Sequence, residues 1–150
     1  MEFKLPKREQ LSNKGTFGKV LNVAGSEYYT GAPYLSSISA LKVGCGYVAL
    51  SSSPKVLNTV ALRTSDLVFI PITDVKKALK NYDVVSVGCG LSTDLSVSIL
   101  FKSLLDSLAS FEGTVIIDAD GLNLLSKIKK EIDRFKNLSG SSSESAVSRG

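Results

Sequence analysis

Three short glycine-bearing segments hold the groups in this sequence that could do chemistry. The first runs over residues 25–33 (Gly-Ser-Glu-Tyr-Tyr-Thr-Gly-Ala-Pro), the second over 88–94 (Gly-Cys-Gly-Leu-Ser-Thr-Asp) and the third over 118–123 (Asp-Ala-Asp-Gly-Leu-Asn). Glycine after a strand lets the backbone approach a ligand closely, and a helix that begins there directs free N–H groups and a positive dipole end at a phosphate or polar head group. We therefore treat these segments, the first, second and third loops, as candidate binding loops.

Each loop also has a purely structural alternative. The first loop fits neither G-x-G-x-x-G nor G-x-x-x-x-G-K-[ST], so it predicts no Rossmann fingerprint and no P-loop, and an ordinary tight turn explains it equally well. The second loop, taken alone, is better explained as a turn before a helix, with Ser92 or Thr93 as N-cap and Asp94 in the first turn. In the third, Asp118 and Asp120 suit a water-bridged Mg²⁺ or a ribose hydroxyl, or else a helix cap.

Residue types that the sequence lacks exclude several mechanisms. The chain contains no histidine, so no Ser-His-Asp triad, Cys-His dyad or His-ligated metal can be built from it. Its two cysteines are too few for a four-thiolate zinc site or a disulfide framework. Cys45 and Cys89 each lie between two glycines, a pattern that indicates small-residue packing rather than chemistry. Paired-carboxylate glycosidase chemistry finds no support beyond the third loop.

The charge distribution argues against a nucleic-acid partner. Eighteen basic and fourteen acidic residues give a net charge of +4, but no aromatic residues interleave with the basic ones and tryptophan is absent. A solvated helix face explains the basic cluster after residue 126 better. Residues 1–10 are charged rather than apolar, and no apolar run approaches the roughly 18 residues that span a bilayer. We expect a cytoplasmic protein with no membrane partner.

The elements that would position the loops alternate between β-prone and helical patterns. Strands are predicted over 19–24, 47–50, 66–70, 83–87 and 114–117, and helices over 31–44, 55–62, 75–80, 93–108 and 122–135. This alternation is typical of βαβ units, so we predict an α/β fold with a mostly parallel sheet and helices on both faces. Ligands bind beyond the carboxyl ends of such strands, where all three loops fall.

The chain divides into three parts. Residues 1–13 are a polar lead-in, with Pro6 favouring an extended conformation, and residues 14–138 carry the alternating elements. Residues 139–150 hold six serines, which predicts a disordered tail or a linker.

Several motifs, in order along the chain, resemble one family. These are Lys-Gly-x-x-Gly from Lys14, Ala-Gly-Ser from Ala24, Gly-Ala-Pro from Gly31, Gly-x-Gly-x-Val from Gly44, a Gly-Pro-Gly-Leu-like loop within 84–91, and Asp-Ala-Asp-Gly-Leu-Asn within 116–125. Over residues 4–138 the chain resembles the ADP- or ATP-dependent NAD(P)H-hydrate dehydratases of the ribokinase-like superfamily. The resemblance implies a ribokinase-like sheet that is incomplete on its C-terminal side.

The resemblance implies repair of damaged NADH or NADPH. In this family ADP or ATP, with Mg²⁺, phosphorylates the hydroxyl of the hydrate, and loss of phosphate restores the nicotinamide ring. Carried over by position, Ala32 and Gly90, together with Gly31 and Gly88, would line the hydrate pocket. A supporting role would fall to Asp118, Asp120 and Asn123, and no residue would be a metal ligand. Homo-oligomers are common in the family, so a homo-oligomer is expected.

The chain departs from the family pattern at several positions. Cys45 and Cys89 stand where the family usually has Ala and Pro, and Asn13 stands where a His often precedes Lys-Gly. The family's Thr-Pro-His-Pro motif, its donor-binding Lys-Gly loop and its Gly-Thr-Gly-Asp turn, which bears the anion hole and the catalytic base, do not follow Leu138.

This chain is therefore expected to be inactive alone, because it lacks groups that stabilise phosphoryl transfer. Two alternatives remain at this point: a non-catalytic nucleotide-binding module, and another ribokinase-like kinase of a small molecule.

Overall fold

A five-stranded sheet forms the centre of the structure, a computed structural model that describes residues 14–130. Its strands are β1 (Lys19–Val23), β2 (Tyr47–Ser52), β3 (Val68–Pro71), β4 (Val84–Val87) and β5 (Thr114–Ile117). They lie in the order β3-β2-β1-β4-β5, and each neighbouring pair is parallel. The α/β prediction with a parallel sheet is confirmed.

Helices follow the strands as the sequence predicts. They are α1 (Gly31–Lys42), α2 (Pro54–Ala61), α3 (Val75–Ala78) and α4 (Leu95–Leu108), with α5 beginning at residue 120 and continuing to residue 130. Turns of 3-10 helix precede β1 and flank α3. Within residues 14–130 no helix is long and apolar enough to cross a membrane. The predicted lead-in and the serine-rich segment lie outside the described residues.

Apolar side chains cover both faces of the sheet around β1. On one face Leu21 and Val23 of β1 pack with Phe101 and Leu104 of α4 and with Leu124 of α5, all of them at most 1% exposed. On the other face a second cluster joins apolar residues of β2 to α2 through Val48, Leu50, Val56 and Val60. Successive side chains of a strand point to opposite faces, so the central strands are buried on both sides, as is usual in parallel sheets.

Polar side chains join α1 to the central strand. The buried side chain of Asn22 donates hydrogen bonds from Nδ2 to Ser36 Oγ at 2.7 Å and to Ser37 Oγ at 2.9 Å. Ser36 Oγ in turn donates to the carbonyl oxygen of Ala32 at 2.9 Å. Leu35, an apolar residue of α1, is 64% exposed, whereas Ser37 is fully buried. The surface that α1 buries is therefore partly polar.

The start of α4 corrects one prediction. The N-cap is Asp94, not Ser92 or Thr93, and its side chain makes no capping hydrogen bond. Ser92 has a φ of 72°, in the left-handed region, and its hydroxyl donates to Asp94 Oδ2 at 2.7 Å. The chain thus makes a tight turn at Ser92 before the helix begins, and a serine within that turn cannot cap it.

Candidate functional site

The first and second loops lie side by side at the carboxyl edge of the sheet because β1 and β4 are neighbours. Gly25 N–H in the first loop donates to the carbonyl of Cys89 in the second at 2.9 Å, and Gly88 N–H in the second loop donates to that of Val23, the last residue of β1, at 3.1 Å. Since β5 lies next to β4, the third loop reaches the same edge. The structure therefore brings together all three segments that the sequence singled out.

Ala32 and Gly90, the two main predicted substrate residues, lie against each other. Gly90 has a φ of 65°, and a Cβ added to it would lie 2.9 Å from the Cβ atoms of Ala32 and Tyr29. Glycine is required here both by conformation and by packing. Gly31, the first residue of α1, differs, since an added Cβ would meet nothing within 4 Å. The N-terminus of α1 is therefore open to a close approach by a ligand.

Gly88 allows the second and third loops to pack together. It has a φ of 128°, and a Cβ at this position would collide with the carbonyl oxygen of Asp118 and with the backbone of Gly121. The space beside Gly88 is thus filled by the protein's own backbone. This glycine shapes the loop, and its direct contact with substrate remains a prediction.

Asp120 ties the third loop to the second. Its Oδ2 accepts a hydrogen bond from Ser92 N–H at 2.9 Å, and its Oδ1 accepts one from Asn123 Nδ2 at 3.3 Å. The N–H groups of Leu122 and Asn123 donate to the carbonyl of Ala119 rather than to either carboxylate. The alternative in which Asp120 caps the helix is therefore not what the structure shows. Asp118 is exposed.

Metal ligands are sparse at this edge. Among the described residues, no three His, Cys, Asp or Glu side chains form a group that could hold a metal ion. Both carboxylate oxygens of Asp120 already accept hydrogen bonds from the chain, which leaves Asp118 as the free carboxylate of the third loop. Magnesium commonly binds through one or two carboxylates together with substrate phosphates. The single unpaired carboxylate of the third loop fits this way of binding, in which the phosphates of a bound substrate supply the other ligands of the ion.

A cavity of about 410 Å³ opens beside the first and second loops. Its lining combines apolar side chains with serines and with residues of the first loop. It comprises Gly25, Ser26, Glu27, Tyr28, Ser52, Ser53, Ile72, Leu91, Asp94, Ser96, Val97 and Leu100. A lining that combines apolar and polar groups suits a flat ring bearing polar substituents.

Sequence reasoning missed the serines at the end of β2 and before α2 that line this cavity. Ser52 ends β2 and Ser53 is the residue before α2, a segment in which the sequence analysis places no candidate site residue. Their Oγ atoms and that of Ser26 are buried with no hydrogen-bond partner among the described residues. A signal was present, because β2 also ends at the carboxyl edge of a parallel sheet. The absence of glycine in that segment concealed it.

Two exposed carboxylates are among the lining residues of the cavity. Glu27 Oε1 lies 3.4 Å from Lys55 Nζ, and Asp94 Oδ2 accepts a hydrogen bond from the hydroxyl of Ser92. An exposed ion pair such as Lys55–Glu27 contributes little stability.

The surroundings of the Cys89 thiol, in the second loop, favour its protonated form. Burial raises the pKa of the Cys89 thiol, the charge of Asp118 raises it further, and a hydrogen bond with Ser36 opposes these effects. Nucleophilic attack requires the thiolate, so this environment disfavours covalent catalysis at Cys89. Both cysteines are free, and Cys45 Sγ contacts the carbonyls of Gly18 and Tyr47. The interpretation of the cysteines as packing residues agrees with these contacts.

Comparisons with known proteins relate the chain to one family. A family model described as NAD(P)H-hydrate dehydratase matches residues 20–139. An ATP-dependent (S)-NAD(P)H-hydrate dehydratase of Entamoeba histolytica is 36% identical over 134 residues, covering 85% of this chain and 45% of that protein. The ADP-dependent enzyme of Listeria monocytogenes is 29% identical over 126 residues, covering 82% and 45%. The chain thus spans about half the length of these relatives.

Solved structures share the fold. A ribokinase-like superfamily protein from Enterococcus faecalis superimposes with a TM-score of 0.76 at 22% identity, covering 82% of this chain and 44% of that one. The ADP/ATP-dependent NAD(P)H-hydrate dehydratase of Bacillus subtilis, co-crystallised with ATP and Mg²⁺, superimposes with a TM-score of 0.66 at 27% identity, covering 79% and 43%. The predicted ribokinase-like architecture is confirmed.

Proposed function

This chain belongs to the NAD(P)H-hydrate dehydratase family, and on that premise we propose that it provides the hydrate-binding edge of an enzyme that repairs NADH or NADPH. The repair reaction of such an enzyme consumes ADP or ATP and dehydrates the damaged nicotinamide ring. The observation that carries the proposal is the contact of Ala32 with Gly90, which joins the first two loops at the carboxyl edge of the sheet.

The cavity beside these loops is the proposed site of the hydrated ring. Its apolar side chains, among them Leu91, Val97 and Leu100, supply a surface for the ring face, and Gly25 and Ser26 supply polar groups for the ring substituents. Gly31, Ala32 and Gly90 are not part of this lining. They are proposed to border the ligand where the first two loops meet, and Gly88 holds the second loop in position.

The supporting residues act by fixing the second loop. Asp120 holds the N–H of Ser92, and Asn123 holds Asp120, so the third loop determines where the second one lies. Asp118 is left to face the nucleotide and the Mg²⁺ that it carries. The Mg²⁺ requirement, a cytoplasmic location and a homo-oligomer are parts of this proposal that rest on the family resemblance.

A binding experiment tests the site directly. We expect NADPH hydrate to bind the 150-residue chain in isothermal titration calorimetry, and Gly31→Leu to abolish that binding. The leucine enters open space at the N-terminus of α1, so circular dichroism and melting temperature should stay unchanged. Asn58→Leu, a matched exposed helix position on α2, should bind as the wild type does. Equal binding by wild type and Gly31→Leu would refute the proposed site.

A turnover assay separates the enzyme from a non-catalytic module. The chain is incubated with NADPH hydrate, Mg²⁺ and ADP or ATP, and recovery of NADPH is followed by its absorbance. Turnover would support the dehydratase and contradict the expected inactivity of the chain alone. Hydrate binding without turnover would support a half-site that needs further groups. Tight binding of ADP or ATP with no hydrate binding would favour the nucleotide-binding module.

A further inference from the structure

Three serines that line the 410 Å³ cavity have hydroxyls without a hydrogen-bond partner. They are Ser26 of the first loop, Ser52 at the end of β2 and Ser53 before α2, and each Oγ is buried. Buried polar atoms are nearly always paired in folded proteins, so an unpaired one calls for an explanation. Within residues 14–130, five buried side-chain atoms lack a partner, and three of them belong to residues of this one cavity. The unpaired hydroxyls are therefore concentrated where a ligand is proposed to bind.

The local structure around Ser52 and Ser53 uses their backbone and leaves their hydroxyls free. Ser53 is the N-cap residue of α2, where a serine Oγ normally accepts a hydrogen bond from an N–H of the first turn. Here the side chain makes no capping bond, whereas the carbonyl of Ser53 accepts one from Leu57 N–H at 3.0 Å. Ser52 is 2% exposed and lies in register with Pro71 of β3. A serine hydroxyl rotates among staggered positions about a single bond, so it can turn to a ligand while the backbone stays in place.

The charges around the cavity indicate which kind of group these hydroxyls bind. Two carboxylates, those of Glu27 and Asp94, belong to the lining, whereas the lining contains no lysine or arginine among the described residues. Lys55 lies outside the lining, and its Nζ is 3.4 Å from Glu27 Oε1. A phosphate or a carboxylate in the cavity would therefore meet negative charge without a cation to pair with it, which is unfavourable. A neutral polar group fits the serines better.

A primary carboxamide matches these hydroxyls. Each serine hydroxyl both donates and accepts, and a carboxamide offers an acceptor oxygen and two N–H donors on one flat group. The apolar side chains of Leu91 and Leu100 in the same lining suit the ring that bears it. On the basis of the function proposed above, we propose that Ser26, Ser52 and Ser53 bind the carboxamide of the hydrated nicotinamide ring and select it against a carboxylate.

A pair of ligands tests this selection. The 150-residue chain is titrated calorimetrically with NADPH hydrate and with the hydrate of the corresponding nicotinic-acid dinucleotide, which carries a carboxylate in place of the carboxamide. We expect the carboxylate ligand to bind about tenfold more weakly, or worse, at pH 7. Equal affinity for the two ligands would overturn the proposed selection, although the hydrate site itself would stand. Failure of both ligands to bind would refute the proposed function, and the carboxamide selection with it.

A variant of Ser52 distinguishes ligand binding from a structural role. Ser52→Ala removes a buried hydroxyl that has no partner among the described residues, so its melting temperature should equal or exceed that of the wild type. Its affinity for NADPH hydrate should fall about fivefold or more, and its preference for the carboxamide ligand should shrink. Ser39→Ala, at an exposed position of α1 outside the cavity, is the control and should change neither quantity. Unchanged hydrate affinity of Ser52→Ala would overturn the proposal, because its hydroxyl would then serve the fold or hold a water molecule.

Discussion

The backbone N–H of Ser92 donates a hydrogen bond to Oδ2 of Asp120 across 2.9 Å, joining two loops that are 28 residues apart in sequence. Ser92 adopts a left-handed backbone conformation, which turns its N–H toward the third loop. One carboxylate thus fixes the position of the second loop, where the candidate site residue Gly90 lies.

Replacing that carboxylate should loosen the site. Asp120→Ala leaves the partly buried N–H of Ser92 without its charged acceptor, which should cost about 1–3 kcal/mol of unfolding free energy. Asp120→Asn keeps an acceptor and should cost less. Urea denaturation measures both, with Asp106→Ala on the exposed side of α4 as control. If Asp120→Ala proves as stable as the control, the hydrogen bond does not hold the loops together.

The glycine at position 90 should tolerate no side chain. Gly90→Ala places a methyl group 2.9 Å from the Cβ atoms of Ala32 and Tyr29 in a left-handed conformation, so we expect a loss of about 1–3 kcal/mol and weaker hydrate binding. Gly31→Ala, where an added Cβ meets open space, should be neutral or slightly stabilising. Thermal melts of the two variants compare them, and equal melting temperatures would contradict the packing described for Gly90.

Substitutions of two neighbours of Cys89 should change its rate of alkylation in opposite directions. The negative charge of Asp118 raises the pKa of the Cys89 thiol, so Asp118→Asn should increase the thiolate fraction and speed alkylation by iodoacetamide at pH 8 two- to fivefold. Ser36→Ala removes the hydrogen bond that lowers this pKa and should slow alkylation. A Cys45→Ala background isolates the signal, and mass spectrometry follows it. Faster alkylation of Ser36→Ala would show that the assigned causes are wrong.

A charged side chain at position 22, beneath α1, should destabilise the fold. Asn22 is 3% exposed, and Asn22→Asp would bury a carboxylate beside Ser36 and Ser37. We expect a loss of at least about 2 kcal/mol at pH 7. Because burial raises the pKa of the introduced carboxyl above its unfolded value, the penalty is full at neutral pH and shrinks as pH falls toward 4. Chemical denaturation at pH 7 and pH 4.5, with Asn22→Val as uncharged control, measures it; a penalty independent of pH would contradict burial of the charge.

The architecture was largely predictable from the sequence because apolar residues recur at different spacings in strands and in helices. The helix predicted over 93–108 corresponds to α4, whose apolar residues Phe101, Leu104 and Leu108 are buried. The alternation of elements predicted the parallel sheet, and thereby the edge at which the loops would meet. Boundaries shifted by a few residues: α3 ends at Ala78 rather than Lys80, and α5 begins at residue 120 rather than 122.

What the sequence could not predict depends on long-range contacts. The partner of Asp120 is Ser92, and no spacing rule links residues that far apart. Likewise, α1 buries Ser37 through Asn22, a polar contact that an apolar pattern cannot indicate. The glycines were interpreted as room for a ligand, yet at Gly88 and Gly90 the room is taken up by other parts of the chain. Only the folded arrangement separates a glycine that admits a ligand from one that admits a neighbouring loop.

The backbone hydrogen bonds that hold the second loop to the first loop and to β1 limit how substitutions can alter this edge. The bonds from Gly25 to Cys89 and from Gly88 to Val23 use only peptide groups, and a substitution other than proline leaves those groups in place. The shape of this edge can therefore persist while most of its side chains are replaced. A saturation library should show wide tolerance at position 89 beside narrow tolerance at positions 88 and 90, where a positive φ and close neighbouring atoms exclude a Cβ.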